Sequence, residues 1–192
     1  HTIGRRQRQM CIRDSIECVV GCPIMAKSDS FYVRASTDFN GTDYAQSAID
    51  LGAYVDALGK SVLRIHNIAV TYGKPQATPA ATATQNHSAQ FQLTTQSQSA
   101  IVDATDKSVI STGKLAISAG TAGETVMMSQ DLDIAPQHWR NGYLVGVEQI
   151  YLGVDQTMSL FSGSDNPVCI VLECTVETLT QNAAMALALS QQ

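Results

Sequence analysis

Val168-Cys169-Ile170-Val171-Leu172-Glu173-Cys174-Thr175-Val176-Glu177 alternates two kinds of side chain along its length. Val168, Ile170, Leu172, Cys174 and Val176 fall on one side, and Cys169, Val171, Glu173, Thr175 and Glu177 on the other. A period of two belongs to extended chain, so the segment reads as a half-buried strand whose outer face carries two acids. Cys169 and Cys174, five apart, point to opposite faces and cannot bond to each other. Both read as reduced packing residues.

Working outward, Tyr143 to Leu152 alternates as well, with both faces fairly apolar, and is expected to be one central strand. Ser61 to Tyr72 reads as a long strand rich in Val and Ile, and Phe31-Tyr32-Val33-Arg34-Ala35 as a shorter one. Asp38 to Asp43 is a turn, because Asn40-Gly41 readily takes positive φ. Ile49-Asp50-Leu51 is a short strand, followed by a brief helical turn over Gly52 to Gly59.

Pro75 to Ala100 is dominated by Ala, Thr, Gln and Ser. Its first half is expected to be an exposed loop, with a modest strand around Phe91 and Leu93. Ala100 to Asp103, Ser108 to Ser111 and Lys114 to Ser118 read as separate strands interrupted by Gly113, Gly120 and Gly123, and Thr125-Val126-Met127-Met128 as another. Asn182 to Leu189 is Ala- and Leu-rich and helical. Roughly seven to nine short strands separated by turns predict an all-β fold, an antiparallel β-sandwich with a short C-terminal helix.

The chain has 192 residues, 44% hydrophobic and only 15% charged, against roughly 25% charged in ordinary globular chains. That composition excludes a disordered acidic solvator, and no apolar stretch is long enough for a transmembrane helix. The opening does not match the remainder. Residues 5–15, Arg5 to Ser15, resemble one reading frame of a sequencing-library adapter. Residues 1–24 are accordingly expected to be non-native adapter and read-through, unstructured, with Met25 a credible start and 25–192 one sandwich domain. Without residues 1–24 the net charge moves from −5 to −7. The remaining cations (Lys27, Arg34, Lys60, Arg64, Lys74, Lys107, Lys114 and Arg140) are spread singly. Phosphate-backbone binding needs several cations together, so no nucleic-acid contact is expected through this chain alone.

The residues that could carry chemistry do not assemble into a motif. Cys18 and Cys22 make a metal half-site with no second half. His66, His87 and His138 lack the His-x-His spacing that would let two imidazoles reach one metal. His66, on the face of Arg64, reads as a hydrogen-bonded structural histidine. His87 is expected to be solvent-exposed in the polar loop, and His138, beside the one Trp, in packing or a subunit contact. Asp131 and Asp133 read as surface acids. Asp38, Asn40 and Asp43 read as a side-chain-capped turn, since an EF-hand loop needs glycine sixth and Gly41 is fourth. Asn40-Gly41-Thr42 and Asn86-His87-Ser88 fit the glycosylation acceptor pattern. No nucleophile elbow, phosphate loop or His-Glu-x-x-His helix occurs. The expectation is a non-enzyme with no cofactor and no catalytic or metal-ligating set.

The entry from Ile49-Asp50-Leu51 to Leu58-Gly59-Lys60, the long strand Val62-Leu63-Arg64-Ile65-His66 and the paired hydrophobic strands near the C-terminus together resemble a single jelly-roll viral capsid protein. The resemblance is architectural and covers most of 25–192. It implies a jelly-roll sandwich, a self-assembling subunit, a virion location, and partners that are copies of this chain or other capsid proteins. Many such proteins carry a basic N-terminal arm and none is found in this sequence, so the expectation is either an arm lost upstream or a resemblance to capsids that line a membrane or rely on other proteins. A metagenomic source, implied by the adapter-like opening, fits a viral origin. Low charge on a β-protein favours lateral association. Tyr54, Tyr72, Trp139 and Tyr143 are the subunit-interface candidates, because aromatics dominate interface energetics. The alternative is a carbohydrate-binding β-sandwich module, which requires an exposed aromatic platform.

Overall fold

The computed structural model describes residues 28–56, 59–74, 83–157, 160 and 167–192. Among the described residues nine strands run in chain order: β1 Phe31–Asp38, β2 Ala45–Asp50, β3 Ser61–Tyr72, β4 Asn86–Thr94, β5 Val109–Ala119, β6 Thr125–Ile134, β7 Tyr143–Val145, β8 Gln149–Thr157 and β9 Pro167–Thr178. A 3-10 turn, Pro136–His138, precedes β7, and helix α1, Gln181–Ser190, closes the described chain. One sheet has the order β1-β9-β3-β7 and the other β2-β8-β4-β5-β6, and every pairing is antiparallel.

Leaving β6 aside, the pairs β1–β9, β2–β8, β3–β7 and β4–β5 nest one inside another. That is a long hairpin rolled up until β9 also meets β3 and β8 also meets β4, which is the jelly roll. The expected sandwich with its C-terminal helix is therefore the observed fold, with β6 an added strand on one edge.

The core lies between the sheets. Phe91, Leu93, Ile110, Leu63, Ile65, Ile150, Leu152 and Leu172 are fully enclosed there. β3 keeps its apolar residues inward through a bulge: its pairing with β9 slips between Ile65 and Asn67, so Ile65 and Ile68, three apart, both face the core. Ala100–Asp103 is not a strand. It lies in the β4–β5 connection, clipped by the buried Gln92, whose amide accepts from Val102 N (3.0 Å) and donates to Val102 O (2.7 Å).

Several expectations are corrected. Gly113 does not interrupt a strand; it lies inside β5, where a Cβ would stand 2.5 Å from Asp131 O and 2.8 Å from Phe91 Cε1. The ladder leaves no room for a side chain, so glycine here serves close packing. Tyr143 to Leu152 is two strands in different sheets, because the chain crosses the sandwich at Gly146. There the Gly146 N–H donates to Gln191 Oε1 (2.8 Å) and α1 packs close against the glycine. The strand at Phe91 is longer than expected, beginning at Asn86, and it carries His87 into the interior at 3% exposure. Glu177 is not on a solvated face but buried against Arg64. Gln92, Gln156 and Gln191 are buried as well. Of the turn after β2, Leu51 to Val55 closes as expected (Val55 N to Leu51 O, 2.9 Å). Ala57 and Leu58 lie outside the described residues, as do 1–27, the adapter-like segment with Cys11, Cys18, Cys22 and Met25, and most of the loop after Lys74.

Candidate functional site

Two apolar surfaces stand out, one at each end of the sandwich. The first surrounds α1. Thr180 caps this helix, its side chain accepting from Ala183 N. The small residues Ala184 and Ala188 face inward, which lets the helix lie against Gly146. Gln191 fastens its end: besides the bond from Gly146 N, its amide donates to Leu144 O (2.7 Å), and its backbone O accepts from Thr95 Oγ1 (2.8 Å). The outer face of the helix exposes Met185 (40%) and Leu189 (68%). Beside it a cavity of about 440 Å³ is lined by Arg64, Lys107, Trp139, Tyr143, Leu187 and Gln191 among others. Trp139, 43% exposed, tilts over Tyr143 with ring centres 6.0 Å apart. Burial pushes the Tyr143 phenol above the ordinary tyrosine range, partly offset by its contact with Gln191.

The cations of this cavity are already engaged. Arg64 donates from Nε and Nη2 to the two carboxylate oxygens of Glu177, 2.7 Å each, and from Nη1 to Asn141 O at 2.5 Å. Lys107 Nζ donates to Gln192 O at 2.5 Å. The Arg64 fork, on β3, thus holds β9 on one side and the Asn141 turn, which carries Trp139 and Tyr143, on the other. Gln137 supports the same turn from behind. Its amide accepts from Ile68 N and donates to Ile68 O, both 3.2 Å, taking the place of a strand partner where β7 has ended.

The second surface is the start of β6, where Val126, Met127 and Met128 are 67, 60 and 62% exposed. Among the described residues β6 is a sheet edge, paired only with β5. A groove of about 720 Å³ adjoins it, lined by Met127, Gln90 and Lys114 among others. β4 connects the two surfaces. Thr94 and Thr95 lie beside Gln191, whereas Asn86 pairs with Ser118, which in turn pairs with Met127. At about 3.4 Å per residue, roughly 27 Å separates them.

Of the four aromatic residues expected at interfaces, the structure brings Trp139 and Tyr143 together. Tyr54 lies elsewhere, stacked on Phe31 (centroids 4.7 Å) beside a cleft of about 620 Å³ between β1 and β2. Tyr72 is half-buried, edge-on to Phe91 at 6.3 Å, and burial, reinforced by Asp133, raises its phenol well above the usual range. The sequence reading missed Val126, Met127, Met128, Met185 and Leu189. His66 binds Thr175 Oγ1 through Nε2 (2.9 Å), as expected, and His138 is exposed. Among the described residues no three His, Cys, Asp or Glu side chains lie close enough together to hold a metal ion, and no helix is long and apolar enough to cross a membrane.

No protein-family model matches the chain, and no curated protein matches it. Among solved structures it is similar to one of Desmodium yellow mottle tymovirus, with a TM-score of 0.38 and 12% identity, over 83% of this chain and 90% of that one. The jelly-roll assignment rests on this chain's own strand pairing rather than on that likeness.

Proposed function

We propose that this chain is a self-assembling jelly-roll subunit of a viral shell, with a structural rather than catalytic role, residing in the virion among copies of itself or other capsid proteins. One observation carries the reading: a sparsely charged sandwich exposes two apolar surfaces at opposite ends. Fully burying a Met, Leu or Val side chain is worth roughly 1.5–3 kcal/mol, so both surfaces gain by being covered. A single sticky face makes a dimer, whereas two separate ones let contacts propagate into closed or extended arrays. The scattered cations, with Arg64 and Lys107 already engaged, leave genome contacts to other molecules. The test is the size distribution of the full chain by light scattering and electron microscopy across salt and pH. Particle-sized species are expected, and a clean monomer at high concentration overturns the proposal.

Trp139 over Tyr143 at the mouth of a cavity favours one other reading, a carbohydrate-binding module. Saturable glycan binding by a monomeric chain, abolished by Trp139→Ala, would establish it in place of assembly.

A further inference from the structure

We infer that β6 pairs with β6 of a second copy across a two-fold axis centred on Gln130; this inference rests on the self-assembly proposed above and names one of its contacts. β6 is ten residues long, contains no Pro, Lys or Arg, and sits at an open edge, which is the arrangement that invites another strand. The other edges are less available. β7 has three residues, and β1 and β2 meet at a corner where the Thr37 and Ser47 hydroxyls touch. The pairing of β6 with β5 skips Val126 and Asp133, so bulges bound the regular run at both ends and a ladder started there cannot run on indefinitely. Such an edge suits one finite contact.

The strand's own sequence selects the occupant and the register. Met128, Gln130 and Leu132 lie opposite Ile117, Leu115 and Gly113 of β5, on the core-facing side, while Met127, Ser129 and Asp131 lie on the outer side. A two-fold axis perpendicular to the sheet must place a residue opposite itself, so that core-facing positions meet core-facing positions. Centred on Gln130, Met128 meets the partner's Leu132, Gln130 meets the partner's Gln130, and Ser129 meets the partner's Asp131. Apolar faces apolar, amide faces amide, a hydroxyl faces a carboxylate, and no two carboxylates stand opposite. A parallel in-register pair would instead stack Asp131 on the partner's Asp131. The five facing positions from Met128 to Leu132 supply only part of the ~800 Å² per partner of a stable dimer, so the contact forms together with others and is best read by covalent trapping.

The experiment uses the full chain. Gln130→Cys, assembled and then mildly oxidised, is expected to yield a disulfide joining position 130 to position 130, identified by peptide mass spectrometry; opposed Cβ atoms in a strand pair are within bonding range. Met128→Lys is expected to raise the concentration for half-assembly at least about tenfold. Circular dichroism melting confirms that each variant folds. If the chain assembles but no 130–130 link forms, or Met128→Lys assembles at the parent concentration, the β6 contact is wrong while self-assembly stands. If the parent chain neither assembles nor cross-links, both fail.

Discussion

Arg64 and Glu177 give the sharpest stability test. Their side chains are 15% and 7% exposed and share two bonds of 2.7 Å. Removing one partner of a buried pair leaves the other charge stranded, at a cost of about 3–5 kcal/mol. Arg64→Met should therefore cost that much, and it also removes the donor to Asn141 O. For a chain of this size, each kcal/mol shifts Tm by roughly 2–4 °C, so the melting temperature should fall by about 6–20 °C. Replacing both, Arg64→Met with Glu177→Leu, removes the stranded charge and should return stability to within about 1 kcal/mol of the parent. Urea denaturation of the parent, both single variants and the double variant closes the cycle, and the coupling should be at least ~2 kcal/mol. Single variants costing under ~1 kcal/mol, with an additive double, would refute the reasoning, because that is the behaviour of an exposed pair.

Gly113→Ala should cost about 2–3 kcal/mol, read by thermal melting, because a strand carbonyl rather than a flexible side chain stands 2.5 Å from the new methyl; an unchanged Tm contradicts this. Gln191→Ala strands Gly146 N–H and Leu144 C=O and should cost about 2 kcal/mol, with hydrogen exchange at Gly146 rising before that of β8. Burial, aided by Glu173, pushes the Cys174 thiol up from 9.0 to about 12. The unfolded chain then releases this proton first as pH rises, so the contribution is fully present below pH 9 and is lost between 9 and about 12. Cys174→Ala should flatten alkaline destabilisation over that interval, and iodoacetamide at pH 8 should reach Cys174 only after unfolding.

The strands that announce themselves are those with a strict period of two. β9 extends only slightly beyond the alternation from Val168 to Val176, whereas β3, whose bulge breaks the period, is legible from its run of Val and Ile instead. The period misleads where a crossing preserves it. Tyr143 to Leu152 alternates without a break, yet only the docking of α1 on Gly146 shows that the chain changes sheets there. Gly113 illustrates the converse, since a residue taken for punctuation is demanded by a neighbouring carbonyl that only the sheet brings near. Polar surroundings point His87 to solvent, whereas the ladder with β5 places it inside. Of the two apolar surfaces, Trp139 and Tyr143 were legible because aromatics are conspicuous. Val126 to Met128 was not, because exposure of a strand depends on what fails to cover it, and no local pattern records an absent neighbour.

The nesting of the hairpin also governs when the molecule can exist. β8 lies between β2 and β4, and β9 between β1 and β3, so each sheet receives an interior strand from the two latest of the described strands in chain order. A nascent chain ending before Pro167 holds β1 and β3 with nothing to join them. Folding must therefore wait until β9 has been made and then proceed through distant contacts, which is intrinsically slow. A chain cut short before β9 therefore lacks the frame on which both apolar surfaces are built.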